Sequence, residues 1–105
     1  MHVMVIGPVG AGEDRNGGAF ELACSILRLA GHVPHNPLDL CLTGSPYDDL
    51  AACTAMLEEC RGVALLGGWE ESVGAALLVE KARRLRHEEI GMRWIGKVVE
   101  RNARG

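Results

Sequence analysis

The chain has 105 residues, of which 48% are apolar, and a formal net charge of −3. That length suits one domain with a single hydrophobic core and is too short for two. The negative charge argues against a nucleic-acid partner, which rewards a basic surface. No apolar run reaches the roughly 18 residues that cross a membrane, and the N-terminus lacks the basic leader of a signal peptide. We therefore expect a cytoplasmic protein without membrane contact.

The first half of the chain alternates strand and helix. His2–Ile6 is short, apolar and bounded by a Gly-Pro turn, which predicts a buried strand. Asn16 is a candidate N-cap for a helix over residues 17–30, whose apolar residues recur at helical spacing. Gly31 is suited to end that helix, and a brief second strand is predicted over residues 32–34.

The second half continues the alternation. Ser45 is predicted to cap a second helix, with Pro46 at its first position. Residues 63–66 form a continuous apolar run, typical of a central parallel strand buried on both faces. Ser72 is predicted to cap a third helix that ends near Leu85. The pattern indicates an α/β fold, a small doubly wound parallel sheet of Rossmann-like or flavodoxin-like type flanked by helices.

The last segment, residues 87–105, is predicted to be helical because Met92, Ile95 and Val99 recur at helical spacing. A short strand around residues 92–95 is the alternative. The apolar face of this segment would complete the core or pair with a second subunit.

Four cysteines are predicted to be reduced thiols that pack in the interior: Cys24, Cys41, Cys53 and Cys60. None has CxxC spacing, and thiols in a cytosol are kept reduced. A zinc site would have to recruit them across the fold with a histidine, and no ligand spacing supports one. We therefore predict neither a metal nor a cofactor.

Glycines and small polar residues follow each predicted strand, where ligands bind in an open parallel sheet. The third strand end is the most informative, because Ser72 begins a helix whose free N–H groups favour an anion. Ser72 with the backbone of Val73 and Gly74 would form a modest phosphate cradle. On the local pattern alone, a simple helix cap is the better interpretation of Ser72.

Several of these residues occur together in a recognisable order: Gly7-Pro8, Asn16 with Phe20, Gly31-His32-Val33, Asn36-Pro37, Tyr47, and the block GWEESVGA at 68–75. Over residues 1–86 the chain resembles the small, mostly phage-encoded domains similar to nucleoside 2-deoxyribosyltransferases and deoxynucleotide N-glycosidases. The resemblance implies one such domain over residues 1–105 with a core at 1–86, a homo-oligomer, and the host cytoplasm if a phage encodes it. It implies a nucleotide or nucleoside ligand held by Gly7, Pro8, Asn16, Asn36, Gly68, Trp69, Ser72 and Gly74.

The carboxylates of such enzymes are missing at the matching positions. The nucleophilic Glu would follow the Gly of Ser-x-Gly by four residues, where this chain has Leu78. Two further acid positions fall at Arg61 and near Cys53. Cleavage through a covalent intermediate needs a carboxylate nucleophile. We therefore expect a catalytically degenerate domain that still binds its ligand.

Two alternatives stay open. A relocated carboxylate at Glu70, Glu71 or Glu80 would make an active N-glycosidase or deoxyribosyltransferase. Glu80 lies about 200° around the helix from Leu78, so it would need a register shift to reach the site. In the other alternative the fold is only a scaffold that contacts a host protein.

Overall fold

The computed structural model describes residues 1–10, 15–40 and 44–95. In these residues a four-stranded parallel sheet has the order β2-β1-β3-β4. Its strands are β1 (His2–Ile6), β2 (Val33–His35), β3 (Gly62–Leu66) and β4 (Glu88–Met92). Its helices are α1 (Gly17–Leu29), α2 (Leu50–Glu58) and α3 (Val73–Arg84). The predicted α/β fold, a parallel sheet flanked by helices, is confirmed.

The core has two layers, one on each face of the sheet. Helix α1 covers one face, where its buried Phe20 packs with Val3 and Val5. Helices α2 and α3 cover the other, where Leu57 and Leu78 pack with residues such as Met4. All five residues of β3 are buried, which explains its uninterrupted apolar sequence, since a strand covered on both faces has no solvent side.

The C-terminal end of α1 was predicted correctly, but its N-terminal cap was not. Gly31 follows the helix with φ 89°, and the next N–H, of His32, donates to the Leu27 carbonyl over 2.9 Å, as expected for a glycine-terminated helix. Asn16 does occupy the N-cap position, but the predicted cap is wrong. Its φ is 64°, whereas a capping side chain needs extended backbone. Its Nδ2 instead donates to the Pro8 carbonyl over 3.0 Å.

The single helix predicted from Ser45 is two elements. Ser45 Oγ accepts from the Tyr47 N–H over 3.2 Å, but the 3-10 turn that it caps ends at Asp48. Helix α2 then starts with its own cap, Asp49, whose Oδ1 accepts from the Ala52 N–H over 3.0 Å. Asp49 thus separates the Pro46–Asp48 turn from α2, and Tyr47 lies in that turn.

The helix predicted over residues 87–105 is wrong over Glu88–Met92, which form β4. The strand pairs in parallel with all of β3, from Gly62↔Glu88 to Leu66↔Met92. Without β4, one edge of the buried β3 would leave its backbone groups without partners. The alternative strand, around residues 92–95, was placed too late. Residues 96–105 lie outside the described part of the chain.

Three cysteines of the described residues, Cys24, Cys53 and Cys60, are buried free thiols, as the sequence predicts, while Cys41 lies outside those residues. Within the described ranges no three His, Cys, Asp or Glu side chains come together to hold a metal. None of the helices described there is long and apolar enough to span a bilayer.

Candidate functional site

The strand order places a switch point between β1 and β3. Each of these central strands is followed by a helix, α1 after β1 and α3 after β3, and the two helices cover opposite faces of the sheet. Loops that leave neighbouring parallel strands toward opposite faces open a crevice at their carboxyl ends, where α/β proteins bind ligands. Gly7-Pro8 after β1 and Gly68 after β3 lie on its two sides, while Gly67 is covered by the chain after β4, and its N–H donates to the Ile95 carbonyl over 2.8 Å.

Tyr47 lies in this crevice and ties the Pro46–Asp48 turn to the end of β1 through two hydrogen bonds. Its hydroxyl donates to the Gly7 carbonyl over 2.6 Å and accepts from the Gly7 N–H over 3.2 Å. Burial raises the pKa of the phenol above its ordinary value, so the hydroxyl stays protonated and able to donate. Sequence reasoning included Tyr47 only in the resemblance and not among the binding residues. The signal that could have found it is its rarity, since it is the single tyrosine of the chain.

Changing Tyr47 to phenylalanine should lower the free energy of unfolding by about 1–3 kcal/mol. The ring would remain, but the buried N–H and carbonyl of Gly7 would both lose their partner, and an unsatisfied buried polar group costs about that amount. Urea unfolding of the two proteins measures the difference. A change below about 0.5 kcal/mol, which is typical of an unimportant surface position, would show that water replaces the hydroxyl.

Two glycines of the crevice fit closely against the protein itself. A Cβ on Gly7 would lie 2.7 Å from Leu66 Cβ, and a Cβ on Gly74 would lie 2.6 Å from Tyr47 Cγ. The sequence predicts that such glycines admit a ligand. The structure adds a packing reason for both of them, because neither position has room for a side chain.

The start of α3 forms the rim of the crevice. Ser72 Oγ accepts from the Ala75 N–H over 3.3 Å, so Ser72 is the helix cap that the sequence predicts. The N–H groups of Val73 and Gly74 belong to the first turn, where a helix offers no acceptor of its own. Together with the Ser72 hydroxyl proton, they are the donors that an anion at this rim would meet.

The two asparagines predicted to bind ligand hold loops in place. Asn36 follows β2, on the side of β1 that faces away from β3, and is buried. Its Oδ1 accepts from the Leu38 N–H over 3.0 Å and its Nδ2 donates to Glu21 over 3.4 Å. Asn16, as described above, ties the start of α1 to Pro8. Asn16 therefore shapes the rim of the crevice, whereas Asn36 holds the turn after β2 against α1.

Trp69 is half-buried on the loop after β3, next to Gly68, whose φ of 88° turns the chain there. The guanidinium carbon of Arg83 lies 5.5 Å from the ring centroid, a cation–π distance. Arg83 also donates to Glu89 over 3.0 and 3.2 Å, and this bond lowers the pKa of Glu89. One face of the indole is thus covered, and a nucleobase would have to stack on the other.

A scan against protein-family models matches residues 1–90 to a domain of unknown function, DUF4406. The chain belongs to the DUF4406 family. Neither the curated proteins nor the solved structures give a match. The DUF4406 region contains β1, β2, β3, α3 and the start of β4, so it includes the crevice and its rim.

Within the DUF4406 region, two of the three positions where the resemblance expects acids are buried in the core, and the third precedes β3. Leu78 is 2% exposed and belongs to the same core cluster as Tyr47. Cys53 is fully buried, and its thiol donates to the Pro46 carbonyl over 3.2 Å. Arg61 directly precedes β3, at the opposite end of this strand from the crevice. Five residues of strand, about 16 Å, separate it from the crevice.

Two of the three carboxylates that could replace the nucleophile form ion pairs with arginines. Glu80 lies on the exposed side of α3 and pairs with Arg84 over 2.6 Å, which confirms the predicted helix register. Glu70 pairs with Arg93, close to the end of β4. Glu71 is exposed at the end of the short turn after Gly68. Of the three, Glu70 and Glu71 are on the rim and Glu80 points to solvent.

Proposed function

We propose that this DUF4406 domain binds a small nucleotide or nucleoside-like molecule in the crevice between β1 and β3 without cleaving its glycosidic bond. The observation that carries the proposal is the start of α3 at the rim of a parallel-sheet switch point. There the first-turn N–H groups of Val73 and Gly74, with the Ser72 hydroxyl, suit a phosphate oxygen. The resemblance to deoxyribosyltransferase-like domains adds the nucleoside part of the ligand.

The lack of a placed nucleophile supports binding without catalysis. Position 78 holds a leucine inside the core, and a carboxylate there would be buried among apolar groups at a high desolvation cost. Glu80 is paired on the outer side of α3. A relocated nucleophile at Glu80 is therefore not part of the proposal, and Glu70 or Glu71 would have to act from the exposed rim.

A thermal-shift panel of deoxynucleoside monophosphates, ribonucleotides, nucleosides and free bases tests the proposal. A ligand at about 100 times its dissociation constant adds roughly 2.7 kcal/mol, which raises the midpoint of a domain of this size by about 10 °C. We expect that shift with one nucleotide class and no release of free base on long incubation. Release of base that Glu70→Gln or Glu71→Gln abolishes would establish an active enzyme instead.

The Ser72→Asp variant tests phosphate binding at the start of α3 without weakening the helix. Aspartate is as good an N-cap as serine, so the helix should form normally while the added charge repels a phosphate. The expected result is a lost nucleotide shift with an unchanged or higher midpoint for the free protein. Ser25→Asp, on the exposed side of α1, makes the same charge change away from the rim and should keep the shift. No shift with any compound would contradict the proposal and favour a scaffold role.

A further inference from the structure

A cavity of about 380 Å³ lies at the opposite edge of the sheet from the crevice. Its wall includes Met1 and Leu85, which supply apolar surface, and three charged residues, Arg61, Arg86 and Glu88. It opens where β1, β3 and β4 begin and where α2 and α3 end. Small-molecule sites range from about 300 to 1,000 Å³, so the cavity is large enough for a compact ligand.

Arg86 has a backbone conformation that favours glycine. Its φ is 61°, in the left-handed region that costs an L-residue energy. Its N–H donates to the Arg83 carbonyl over 3.1 Å, and the His87 N–H donates to the Ala82 carbonyl over 3.0 Å. These two bonds are the usual left-handed closure of a helix end, and the usual residue at that position is glycine.

Helix α1 of the same chain provides an internal comparison. It closes with the same pair of bonds, from Gly31 to the Arg28 carbonyl over 3.0 Å and from His32 to the Leu27 carbonyl over 2.9 Å. There the left-handed residue is Gly31, with φ 89°. The fold therefore accepts glycine at this position of the motif, and α3 carries an arginine that faces the cavity instead.

In the part of the chain that the structure describes, the arginines of the cavity lack the ion pairs that the arginines of α3 form, as does Arg28 at the end of α1. Arg83 and Arg84 each form an ion pair with a glutamate. Arg61 and Arg86 form none with any carboxylate of the described residues, including Glu88 beside them. Two exposed arginines from separate elements thus line one cavity without an ion-pair partner among the described residues.

His87, next to Arg86 in sequence, adds a fixed polar wall to the cavity. Its Nε2 lies 2.9 Å from the Leu57 carbonyl oxygen at the end of α2. A carbonyl only accepts, so Nε2 carries the proton and the ring is held against α2. The cavity wall is therefore anchored to the core on this side.

We propose that this cavity binds a small molecule that carries a phosphate group, with the phosphate between Arg61 and Arg86 and an apolar part over Met1 and Leu85. The planar fork of a guanidinium matches the spacing of phosphate oxygens. An arginine at a backbone position that favours glycine costs stability, and this is the observation that points to a ligand. The site is separate from the proposed nucleotide crevice and does not depend on it.

Titration calorimetry with phenyl phosphate, on the full chain, tests this second site. Arg86→Gly should weaken binding about tenfold or more through the loss of a charge-assisted contact. The same variant, without ligand, should unfold at a temperature about 4–8 °C higher because the backbone strain is relieved. Arg61→Gln should weaken binding by a similar factor. A variant that gains stability and loses binding cannot be dismissed as misfolded.

Two control variants locate the effect. Arg28→Gln removes a charge from the last turn of α1, at the same edge of the sheet but outside the cavity, and should bind normally. Ser72→Asp removes phosphate binding at the start of α3, so the binding of phenyl phosphate that this variant keeps reports the cavity alone. The proposal is overturned if phenol binds as tightly as phenyl phosphate, if Arg86→Gly or Arg61→Gln binds like the natural chain, or if Arg28→Gln loses as much. A lower midpoint for Arg86→Gly would overturn it too, because arginine would then serve stability.

Discussion

Replacing Gly74 with alanine should destabilise the protein by about 3 kcal/mol or more, although the same change in an ordinary helix adds about 1 kcal/mol of stability. The new Cβ would lie 2.6 Å from Tyr47 Cγ, inside the contact distance of two carbon atoms. The ring cannot rotate away, because its hydroxyl is hydrogen-bonded to both the N–H and the carbonyl of Gly7. Either α3 or the Pro46–Asp48 turn must shift, and overpacking of this kind is among the larger single-residue effects.

Gly18→Ala is the matched control for this change. Gly18 is the second residue of α1, and a Cβ there would meet nothing within 4 Å. That variant should be as stable as the natural chain or gain up to about 1 kcal/mol. Urea unfolding of the three proteins at one pH measures both differences. Equal stabilities for the two alanine variants would mean that Tyr47 and α3 separate without cost, and the crevice would then be far softer than described.

Raising the pH from 8 to 11 should remove most of the stability of the fold. Burial, followed by a neighbouring carboxylate, raises the pKa of Cys24, Cys53 and Cys60 from 9.0 to about 11 each. The folded protein holds these protons more tightly than the unfolded chain does. Their contribution is therefore complete below pH 9 and is lost as the pH rises through the folded values.

The size of this effect follows from the shifts. One pKa unit corresponds to about 1.4 kcal/mol, so the three thiols together contribute on the order of several kcal/mol. Small domains have a total stability of about 5–15 kcal/mol. Tyr47 adds to the loss above pH 10, because burial raises its pKa as well. We expect unfolding before pH 11, seen as a falling free energy in urea titrations at pH 7, 8, 9 and 10.

A triple alanine variant at Cys24, Cys53 and Cys60 is the control for the alkaline transition. It should be less stable at pH 7, since three buried groups are trimmed, but its stability should stay nearly flat up to pH 10. The remaining loss above pH 10 would report Tyr47. If the variant loses stability as steeply as the natural chain between pH 8 and 10, the thiols are not the titrating groups.

Elements with a local signal were predictable, and β4 was not. Strand β3 was found because its residues are all apolar, and α3 because Ser72 caps it. Strand β4 begins with Glu88 and Glu89, both exposed, and its helical spacing at Met92 and Ile95 is coincidental. What makes it a strand is the open side of β3, a partner more than 20 residues earlier in the chain, which single-sequence periodicity does not see.

The same distinction holds for the candidate site. Its location follows from parallel topology and was predictable from alternation alone. The role of Gly74 was not, because the group that requires a glycine there is Tyr47, on another element. Asn16 also shows the difference, since it takes the predicted cap position while its amide reaches back to Pro8. Sequence spacing predicts which residues lie near the candidate site, and contacts between distant segments determine what each of those residues does.

In the proposed nucleotide complex, the phenol of Tyr47 would compete with the ligand from within the same chain. Its hydroxyl occupies the Gly7 N–H, the donor that a ligand oxygen would otherwise use at the end of β1. A group held in the same molecule has a high effective concentration, so a free ligand displaces it only at a cost in affinity. A ligand of the proposed site should therefore place its oxygens at the start of α3 and leave the bond between Tyr47 and Gly7 intact.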